Sequence, residues 1–371
     1  MAGKRAPRVL MTADTVGGVW THAVELAREL DARGVRVALA TMGAPVAAHQ
    51  RAALAGCDGV TLFESTFRLE WMQEPWDDVN AAGEWLMALE RDVRPDLVHL
   101  NQFAFGALPF RAPRLVVAHS CVASWWRAVH AGPAPAEWAP YRHRVQQGLA
   151  GATRVAAPTR AMLDALRAEY AWDGEGLVLP NGCVPEAFAP APKQPRILAA
   201  GRFWDEAKNL RALEQAAPGL PWPVCVAGSA AHPDGGTVHP KGVQFLGELP
   251  REALARELAQ AAIYALPARY EPFGLSVLEA ALSGCALVLG DIASLREVWG
   301  PAARYVPPGD ARALHESLQA LIAAPEERAR LAQAAQARAQ RYTARAMADR
   351  YLACYAELAP RFAHGEELAC A

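Results

Sequence analysis

Two glutamates eight residues apart, Glu271 and Glu279, stand in the segment EPFGLSVLE, whose residue types suit a polar ligand. The segment follows an apolar run at 263–267 that is typical of a buried strand, and it opens a helical run at 274–284. We therefore expect Glu271 in a strand-to-helix loop and Glu279 about a turn and a half into the helix. The N–H groups at the helix start lack helical partners and favour anions. Two carboxylates beside such an anion site suit a ligand with hydroxyls at both ends and an anionic middle, as in a sugar nucleotide.

Two cations lie close together in the segment GRFWDEAKN, where Arg202 and Lys208 follow a predicted strand at 196–200. Fixed cations at the point where a strand gives way to a helix can neutralise a diphosphate without a metal ion. A surface arginine and lysine that merely cap a helix are the alternative for this segment taken alone. Its place beside the two glutamates favours the anion site.

Together these segments resemble the E-x7-E motif of retaining glycosyltransferases with the GT-B fold, in particular glycosyltransferase family four. The resemblance extends from the first strand to about Asp310, and the pieces follow the family's order. It implies transfer of a sugar from a nucleotide-diphosphate sugar, of the UDP or GDP type, to a hydroxyl of a glycan, lipid or small molecule. It also implies a front-face mechanism that retains the anomeric configuration and needs no metal or other cofactor.

The resemblance also implies a role for individual residues. The implied catalytic set is Glu271, His119, Arg202 and Lys208; the donor phosphate contacts are Gly17, Gly18, Arg202, Lys208, Leu275 and Ser276; the sugar contacts are His119, Glu271, Phe273 and Gly274; and the nucleoside contacts are Glu279, Gly228 and Leu249.

Several of these residues also have a purely structural interpretation. Gly17 and Gly18 open a helix after the first strand, where glycine lets the backbone approach a phosphate, although a Gly-Gly turn is common. His119 ends a predicted strand at 115–118, so it either faces a ligand at the carboxyl end of the sheet or is a satisfied structural histidine. Trp125 and Trp126 either form a stacking platform for an acceptor sugar or fill a core.

The length of 371 residues suits two domains, and 52% hydrophobic against 20% charged residues supplies two large cores. Strands alternate with helices, which favours parallel sheets, and the pattern restarts after a proline-rich stretch at 185–195. We expect an α/β protein with two Rossmann-like domains facing a cleft, the GT-B arrangement. The expected bounds are 1–184 for an acceptor-side domain, 185–343 for a nucleotide-sugar donor domain, and 344–371 for a helical segment that packs back on the first domain.

The apolar patterns predict the individual elements. Strands are expected at 8–11, 35–40, 60–63, 97–100, 115–118, 154–157, 196–200, 224–227, 243–246, 263–266 and 286–289, and helices at 77–91, 141–149, 324–342 and 344–358, among others.

Composition bears on partners and location. The net charge of −2 gives no general case for nucleic-acid binding, and seven scattered cysteines without CxxC spacing fit a reducing compartment. No stretch approaches the ~18–20 apolar residues that cross a bilayer. We expect a cytoplasmic protein, with peripheral contact at the inner face of the membrane left open, whose partners are a nucleotide sugar and a hydroxyl acceptor. No pattern of metal ligands is present, and the sequence does not reveal the oligomeric state.

Two other classes of protein remain as alternatives. A GT-B-fold sugar-nucleotide epimerase would bind the same donor and release a changed sugar nucleotide without an acceptor. A non-catalytic nucleotide-sugar-binding protein would keep the cations but lose a glutamate or His119, whereas all are present here. A nicotinamide dehydrogenase is disfavoured because the full G-x-G-x-x-G fingerprint is missing after the first strand.

Overall fold

Two parallel sheets, each in its own unit of the chain, form the framework that positions the candidate residues. The computed structural model describes residues 5–233 and 235–367. The first unit consists of the chain up to Ser124, Pro133–Asn181 and the chain from Ala344 onward, and the second consists of Trp125–Gly132 and Gly182–Thr343. The division after Asn181 lies close to the expected boundary at 184/185. The sequence pattern did not predict that Trp125–Gly132 belongs to the second unit.

The first unit contains a seven-stranded parallel sheet with strand order β3-β2-β1-β4-β5-β6-β7. Its strands are β1 (Arg8–Asp14), β2 (Arg36–Met42), β3 (Val60–Glu64), β4 (Leu97–Leu100), β5 (Arg114–Val117), β6 (Arg154–Ala157) and β7 (Gly176–Val178). Its helices are α1 (Gly18–Asp31), α2 (Ala48–Ala52), α3 (Trp76–Val93), the first residues of α4 (Val122–His130), α5 (Ala139–Gly151) and α6 (Arg160–Tyr170), with a 3-10 turn at Ala136–Trp138.

The second unit contains a six-stranded parallel sheet with strand order β10-β9-β8-β11-β12-β13. Its strands are β8 (Gln194–Ala200), β9 (Val224–Ala227), β10 (Gln244–Gly247), β11 (Ala261–Leu266), β12 (Ala286–Gly290) and β13 (Arg304–Val306). Its helices are α7 (Leu210–Ala216), α8 (Arg251–Gln260), α9 (Leu275–Leu282), α10 (Ala293–Trp299), α11 (Ala311–Ala323) and α12 (Pro325–Ala339), with 3-10 turns at Pro185–Phe188, Glu206–Lys208 and Gly300–Ala302.

The strands of the second sheet are apolar on both faces because helices cover both sides. Successive side chains of a strand point to opposite faces. In β8, Leu198 and Ala200 therefore belong to one core cluster, while Ile197 and Ala199 belong to the other. All six residues of β11 are buried. This burial explains why these strands appear in the sequence as continuous apolar runs rather than alternating ones.

The last long helix, α13 (Ala344–Leu358), packs within the first unit. Its residues Met347, Tyr351 and Tyr355 share a core cluster with Ala23 and Leu26 of α1. A 3-10 turn at Pro360–Glu367 follows it. Across residues 5–233 and 235–367, none of the helices combines the length and the apolar character that a membrane span requires.

Most differences from the sequence-based elements lie at their ends. The strands β7 and β13 were not predicted, because three residues at the edge of a sheet are too short to show a period. The stretch at 185–195 is not simply a linker, since it holds the 3-10 turn Pro185–Phe188 and the start of β8. The helix predicted at 324–342 ends at Ala339, whereas the one predicted at 344–358 has those same bounds.

A glycine lets α5 approach the chain that follows β4. A Cβ atom added at Gly148 would lie 1.8 Å from the carbonyl oxygen of Phe103, and one added at Gly106 would lie 2.3 Å from the carbonyl oxygen of Gly148. Both obstacles are backbone atoms, so a side-chain rotation cannot relieve them. The two segments can pack this closely only without side chains at the crossing.

We expect Gly148→Ala to destabilise the fold by about 1–3 kcal/mol or more, because the added methyl group must push two backbone segments apart. Thermal unfolding measures the effect as a lower Tm. Gly309→Ala is the matched control, since a Cβ at Gly309 meets nothing within 4 Å and its φ is not in the left-handed region. Equal melting temperatures for the two variants would contradict this account.

Candidate active site

The start of α9 is open because glycine precedes it. Gly274 has φ +89°, in the left-handed region that glycine adopts readily, and no side chain of the described residues caps the helix. The first N–H groups of α9 therefore lack a side-chain acceptor and carry the positive end of the helix dipole. This is the strand-to-helix geometry that the EPFGLSVLE segment predicts, with Glu271 in the loop and Glu279 in α9.

Glu271 is held in this loop by contacts on both of its carboxylate oxygens. Its Oε1 accepts a hydrogen bond from the backbone N–H of Gly274 at 3.0 Å, and its Oε2 forms an ion pair with Nζ of Lys208. The two side chains are only 12% and 14% exposed. The hydroxyl of Ser294 donates to the carbonyl oxygen of Glu271 at 2.6 Å. The carboxylate and the ammonium group are therefore held side by side.

Arg202 lies just after β8, with an aromatic ring and a carboxylate as neighbours. Its guanidinium carbon is 5.1 Å from the ring centroid of Trp204, and its Nη2 is 3.7 Å from Oδ2 of Asp205. The other oxygen of Asp205 accepts from the N–H of Ala207 at 3.0 Å and from the indole N–H of Trp125 at 2.8 Å. With 36% of its side chain exposed, Arg202 can reach an anion while these contacts orient it.

Asn209 joins the loop that carries Lys208 to the loop after β11, a contact that the sequence analysis missed. Its backbone is left-handed, at φ 58°, and its side chain is buried. The Nδ2 group donates to the carbonyl oxygens of Pro267 at 2.8 Å and Pro308 at 2.7 Å. Asparagine tolerates the left-handed region better than most residues, but nothing in its sequence context indicates these distant partners.

Tyr264 connects the end of β8 to the first turn of α9 and was also missed. Its hydroxyl lies 2.8 Å from Oγ of Ser276 and 3.1 Å from the carbonyl oxygen of Ala200, and it accepts from the N–H of Ala200 at 3.3 Å. Burial raises the pKa of Tyr264, so the phenol keeps its proton. Ser276, expected at the phosphates, therefore has its side chain oriented by a buried tyrosine. On the sequence alone Tyr264 is one apolar residue in a strand.

The residues expected near the nucleoside lie at the ends of neighbouring elements. Glu279 is buried in α9. Gly228 follows β9 with φ +140°, and an added Cβ would lie 1.9 Å from the carbonyl oxygen of Gly201, so glycine is required there for packing. Its N–H donates to the carbonyl oxygen of Gly247 at 2.7 Å. Leu249 is partly buried and packs against the core.

Phe273 and Gly274 can offer a ligand only backbone groups. The Phe273 ring is buried in the core, 5.5 Å from the ring centroid of Tyr342, so its side chain is not available. The N–H of Gly274 is already used by Glu271. Of the two, the N–H of Phe273 is the one that fits the expected contact with a sugar hydroxyl.

Gly17, Gly18 and His119 lie in the first unit. Gly17 is the N-cap of α1 with φ 94°, and no side chain of the described residues caps that helix. His119 follows β5, and its Nε2 lies 2.8 Å from Oδ1 of Asn101. Burial lowers the pKa of His119 to about 4. Its ring is 4.5 Å from that of His22, which lies on α1 about one turn after Gly18. Helix α1 therefore carries both Gly18 at its start and His22, whose ring contacts that of His119.

Trp125 and Trp126 begin the short segment that belongs to the second unit. The rings pack edge to face at 5.8 Å, and both contact His130. Trp125 donates its indole N–H to Asp205, the residue beside Arg202. This contact gives Trp125 a structural role, and its role as an acceptor platform stays a prediction.

The second unit brings Arg202, Lys208, Glu271, Ser276 and the start of α9 together around the carboxyl ends of β8 and β11. Such strand ends are where ligands bind in open parallel sheets. A cation pair, a carboxylate and free helix N–H groups can bind an anionic group next to a hydroxyl-bearing one. Within the described part of the chain, no group of three or more His, Cys, Asp or Glu side chains is arranged to hold a metal ion.

Comparison of the sequence with protein families gives two matches, one for each half of the chain. The model described as Glycosyltransferase Family 4 matches residues 16–187, and the one described as Glycosyl transferases group 1 matches residues 185–338. Among curated proteins, phosphatidyl-myo-inositol mannosyltransferase of Mycobacterium leprae is 26% identical over 205 residues. That match covers 50% of this chain and 54% of the relative, so the chain spans about half of that protein.

Solved structures match over nearly the whole chain at low sequence identity. Sucrose-phosphate synthase from Thermosynechococcus elongatus has a TM-score of 0.80 at 19% identity and covers 95% of this chain and 99% of its own. The Anabaena protein HepE, in complex with UDP and glucose, has a TM-score of 0.72 at 17% identity and covers 95% and 100%. These likenesses establish that the fold is the GT-B fold.

We expect Arg202→Ala to weaken the binding of inorganic pyrophosphate about tenfold or more, because one charge-assisted contact is lost at the open helix start. Isothermal titration calorimetry measures the change in Kd. Arg296→Ala is a matched control. Like Arg202, Arg296 contacts an aromatic ring, that of Tyr305, and an aspartate, Asp291. Equal loss in both variants would show that pyrophosphate does not bind at Arg202.

Proposed function

Since this chain belongs to the glycosyltransferases of family 4 and group 1, we propose that it transfers a sugar from a nucleotide-diphosphate sugar to an acceptor hydroxyl with retention of configuration. The observation that carries the proposal is the ion pair of Lys208 and Glu271 beside the uncapped start of α9. Cations and N–H groups bind a diphosphate, and a carboxylate binds a sugar hydroxyl. The diphosphate and the sugar are directly bonded in the donor, so both kinds of binding group must lie next to each other.

Arg202, Lys208 and the N–H groups of α9 would stabilise the negative charge that develops on the leaving diphosphate. Such preorganised groups act most strongly where water is excluded, and both members of the ion pair are mostly buried. Lys208 would turn part of its hydrogen bonding from Glu271 to a phosphate oxygen when the donor binds. Two cations then supply the compensation that a metal ion gives in other transferases, so the proposed reaction needs no cofactor.

Glu271 and the N–H of Phe273 would hold hydroxyls of the transferred sugar, and His119 would contact a further one. A retaining glycosidase uses a carboxylate nucleophile on the far face of the sugar. We instead propose front-face substitution, in line with the family resemblance. The bond from the anomeric carbon to the phosphate oxygen breaks, the bond to the acceptor oxygen forms on the same face, and the acceptor's proton passes to the leaving phosphate.

Glu279 would accept hydrogen bonds from the ribose, and the backbone near Gly228 and Leu249 would lie beside the base. Glu279 is buried in the helix whose first turn carries the proposed phosphate site. HepE forms a complex with UDP, and this likeness supports a donor of the UDP type. A GDP-type donor rests on the family resemblance. The proposed acceptor is a hydroxyl of a glycan, a lipid or a small molecule.

A panel of UDP, GDP, ADP and TDP in thermal unfolding should single out one nucleotide, with or without magnesium. A ligand at a hundred times its Kd stabilises the folded state by about 2.7 kcal/mol. The sugars of that nucleotide are then tested for transfer, and NMR of the product should show the donor's anomeric configuration. An inverted product would overturn the proposed mechanism. A changed sugar nucleotide formed without acceptor would favour an epimerase, and binding without turnover would favour a binding protein.

Two variants should separate the proposed roles of the site residues. We expect Lys208→Ala to lower kcat by about 10²–10³, because it removes a charge that acts in the transition state. We expect Glu279→Ala to raise the Kd of the nucleotide about tenfold or more, because it removes a charged acceptor for the ribose. Steady-state kinetics and titration calorimetry measure the two effects.

The exposed residues Lys241 and Glu252 provide controls of the same types, since Lys241→Ala and Glu252→Ala should leave both quantities unchanged. Wild-type rates and nucleotide affinity in both Lys208→Ala and Glu279→Ala would remove this assignment.

A further inference from the structure

Three histidine rings meet in the first unit around one asparagine side chain. His22 comes from α1, His99 from β4, and His119 from the turn after β5. The ring of His22 lies 4.5 Å from that of His119 and 6.4 Å from that of His99. Asn101, which follows β4 directly, contacts two of the three. Hydrogen bonds to this asparagine therefore orient His99 and His119.

The orientation of the Asn101 amide is set by Thr12 of β1. The backbone N–H of Asn101 donates to Oγ1 of Thr12 at 2.9 Å, and its side-chain Nδ2 donates to the carbonyl oxygen of Thr12 at 2.6 Å. If the amide were flipped, its oxygen would lie 2.6 Å from the carbonyl oxygen of Thr12, and two acceptors would face each other. The amide nitrogen must therefore be the atom that faces Thr12. The amide oxygen therefore points towards the histidines.

This single oxygen serves two histidines. Oδ1 of Asn101 lies 3.1 Å from Nε2 of His99 and 2.8 Å from Nε2 of His119. An amide oxygen only accepts hydrogen bonds, so both Nε2 atoms carry the proton. Nδ1 of His99 then accepts from the hydroxyl of Tyr355 at 2.6 Å. Burial raises the pKa of Tyr355, which keeps that phenol a donor.

The histidines are neutral at physiological pH. Burial lowers the pKa of His99 to about 3 and that of His119 to about 4, and it lowers the pKa of His22 well below its usual value. Repulsion from His119 adds to the effect on the other two. The further groups that face the cluster are Tyr351 and Tyr355 of α13 and the amide of Asn181. None of these is charged at neutral pH.

A neutral imidazole that carries its proton on Nε2 has a lone pair on Nδ1. Among the described residues, Nδ1 of His119 has no hydrogen-bond partner. It differs from both nitrogens of His22, which are fully shielded from solvent. The side chain of His119 is partly exposed, so its free acceptor is the nitrogen available to a ligand.

We propose that Asn101 is a positioning residue that fixes His119 as the Nε2–H tautomer, so that Nδ1 accepts a hydrogen bond from a hydroxyl of the transferred sugar. The identity of that partner rests on the proposed function, whereas the tautomer does not. A nitrogen that can only accept requires a donor at that place on the ligand. The arrangement selects sugars that bear a hydroxyl there over their deoxygenated analogues, because the analogue leaves the buried network without its partner.

Long-range 1H–15N correlation spectra of histidine-labelled protein test the tautomer without any substrate. We expect the Nε2–H pattern for His119 and His99 at pH 7, and no protonation of His119 between pH 8 and pH 5. In Asn101→Leu, which keeps the volume but removes the oxygen, the nitrogen shifts of His119 should move towards the average of the two tautomers. Asn181→Leu is the control, since Asn181 is equally buried near His22. A proton on Nδ1 of His119 in the wild type would overturn the proposal.

Kinetics test the positioning role. Asn101→Leu should lower kcat about tenfold or more while the Kd of the nucleotide stays unchanged, since the phosphate cations lie in the other unit. In a series of monodeoxy donor sugars, one donor should lower kcat of the wild type by as much as Asn101→Leu lowers it with the full donor. The variant should then turn over that deoxy donor no more slowly, because both changes remove the same contact. Additive losses for every deoxy donor would overturn the role. The Nε2–H pattern in a protein that transfers no sugar would sustain the tautomer and overturn the proposed function alone.

Discussion

The ion pair between Lys208 and Glu271 is the interaction on which the arrangement of the candidate site depends. It joins the loop after β8 to the loop after β11, two neighbouring strands of one sheet. Removing two charges from water is costly, and the attraction between them repays this only when further hydrogen bonds hold the geometry. Glu271 receives those bonds from the Gly274 N–H and, at its own carbonyl group, from Ser294. The pair thus orients two functional groups more than it stabilises the fold.

The surrounding residues restrict the same two loops by other means. Asn209 ties the Lys208 loop to the carbonyl group of Pro267, and Tyr264 ties the end of β8 to Ser276 in the first turn of α9. Gly228 allows β9 to end against the backbone of Gly201. A site built in this way needs little reorganisation when a charged ligand binds, because its dipoles and charges already point inward.

The two units handle polar groups differently. The candidate site of the second unit relies on full charges: Lys208 pairs with Glu271 near the start of α9, and Arg202 lies beside Asp205. The histidine cluster of the first unit is neutral, and its direction comes from hydrogen bonds passed from Thr12 through Asn101 to His119. Fixed charges suit a diphosphate, whereas an oriented neutral acceptor suits a hydroxyl, because it adds no charge that would compete with the leaving group.

The amino-acid sequence by itself determined the α/β class, the central strands of both sheets, the helix at Ala344–Leu358, and the strand-loop-helix placement of Glu271 and Glu279. These features depend on the local period of apolar residues and on glycine at helix starts, so a short stretch of the sequence is enough to predict them. The comparisons confirmed the family resemblance drawn from those motifs.

Only the tertiary structure placed Trp125 beside Asp205, Tyr264 on Ser276, and Asn101 between two histidines. In each of the first two pairs the partners lie on different elements, and Asn101 also depends on Thr12, 89 residues away. Periodicity reports which face of an element is buried, but hydrogen-bond partners are chosen by how the elements pack.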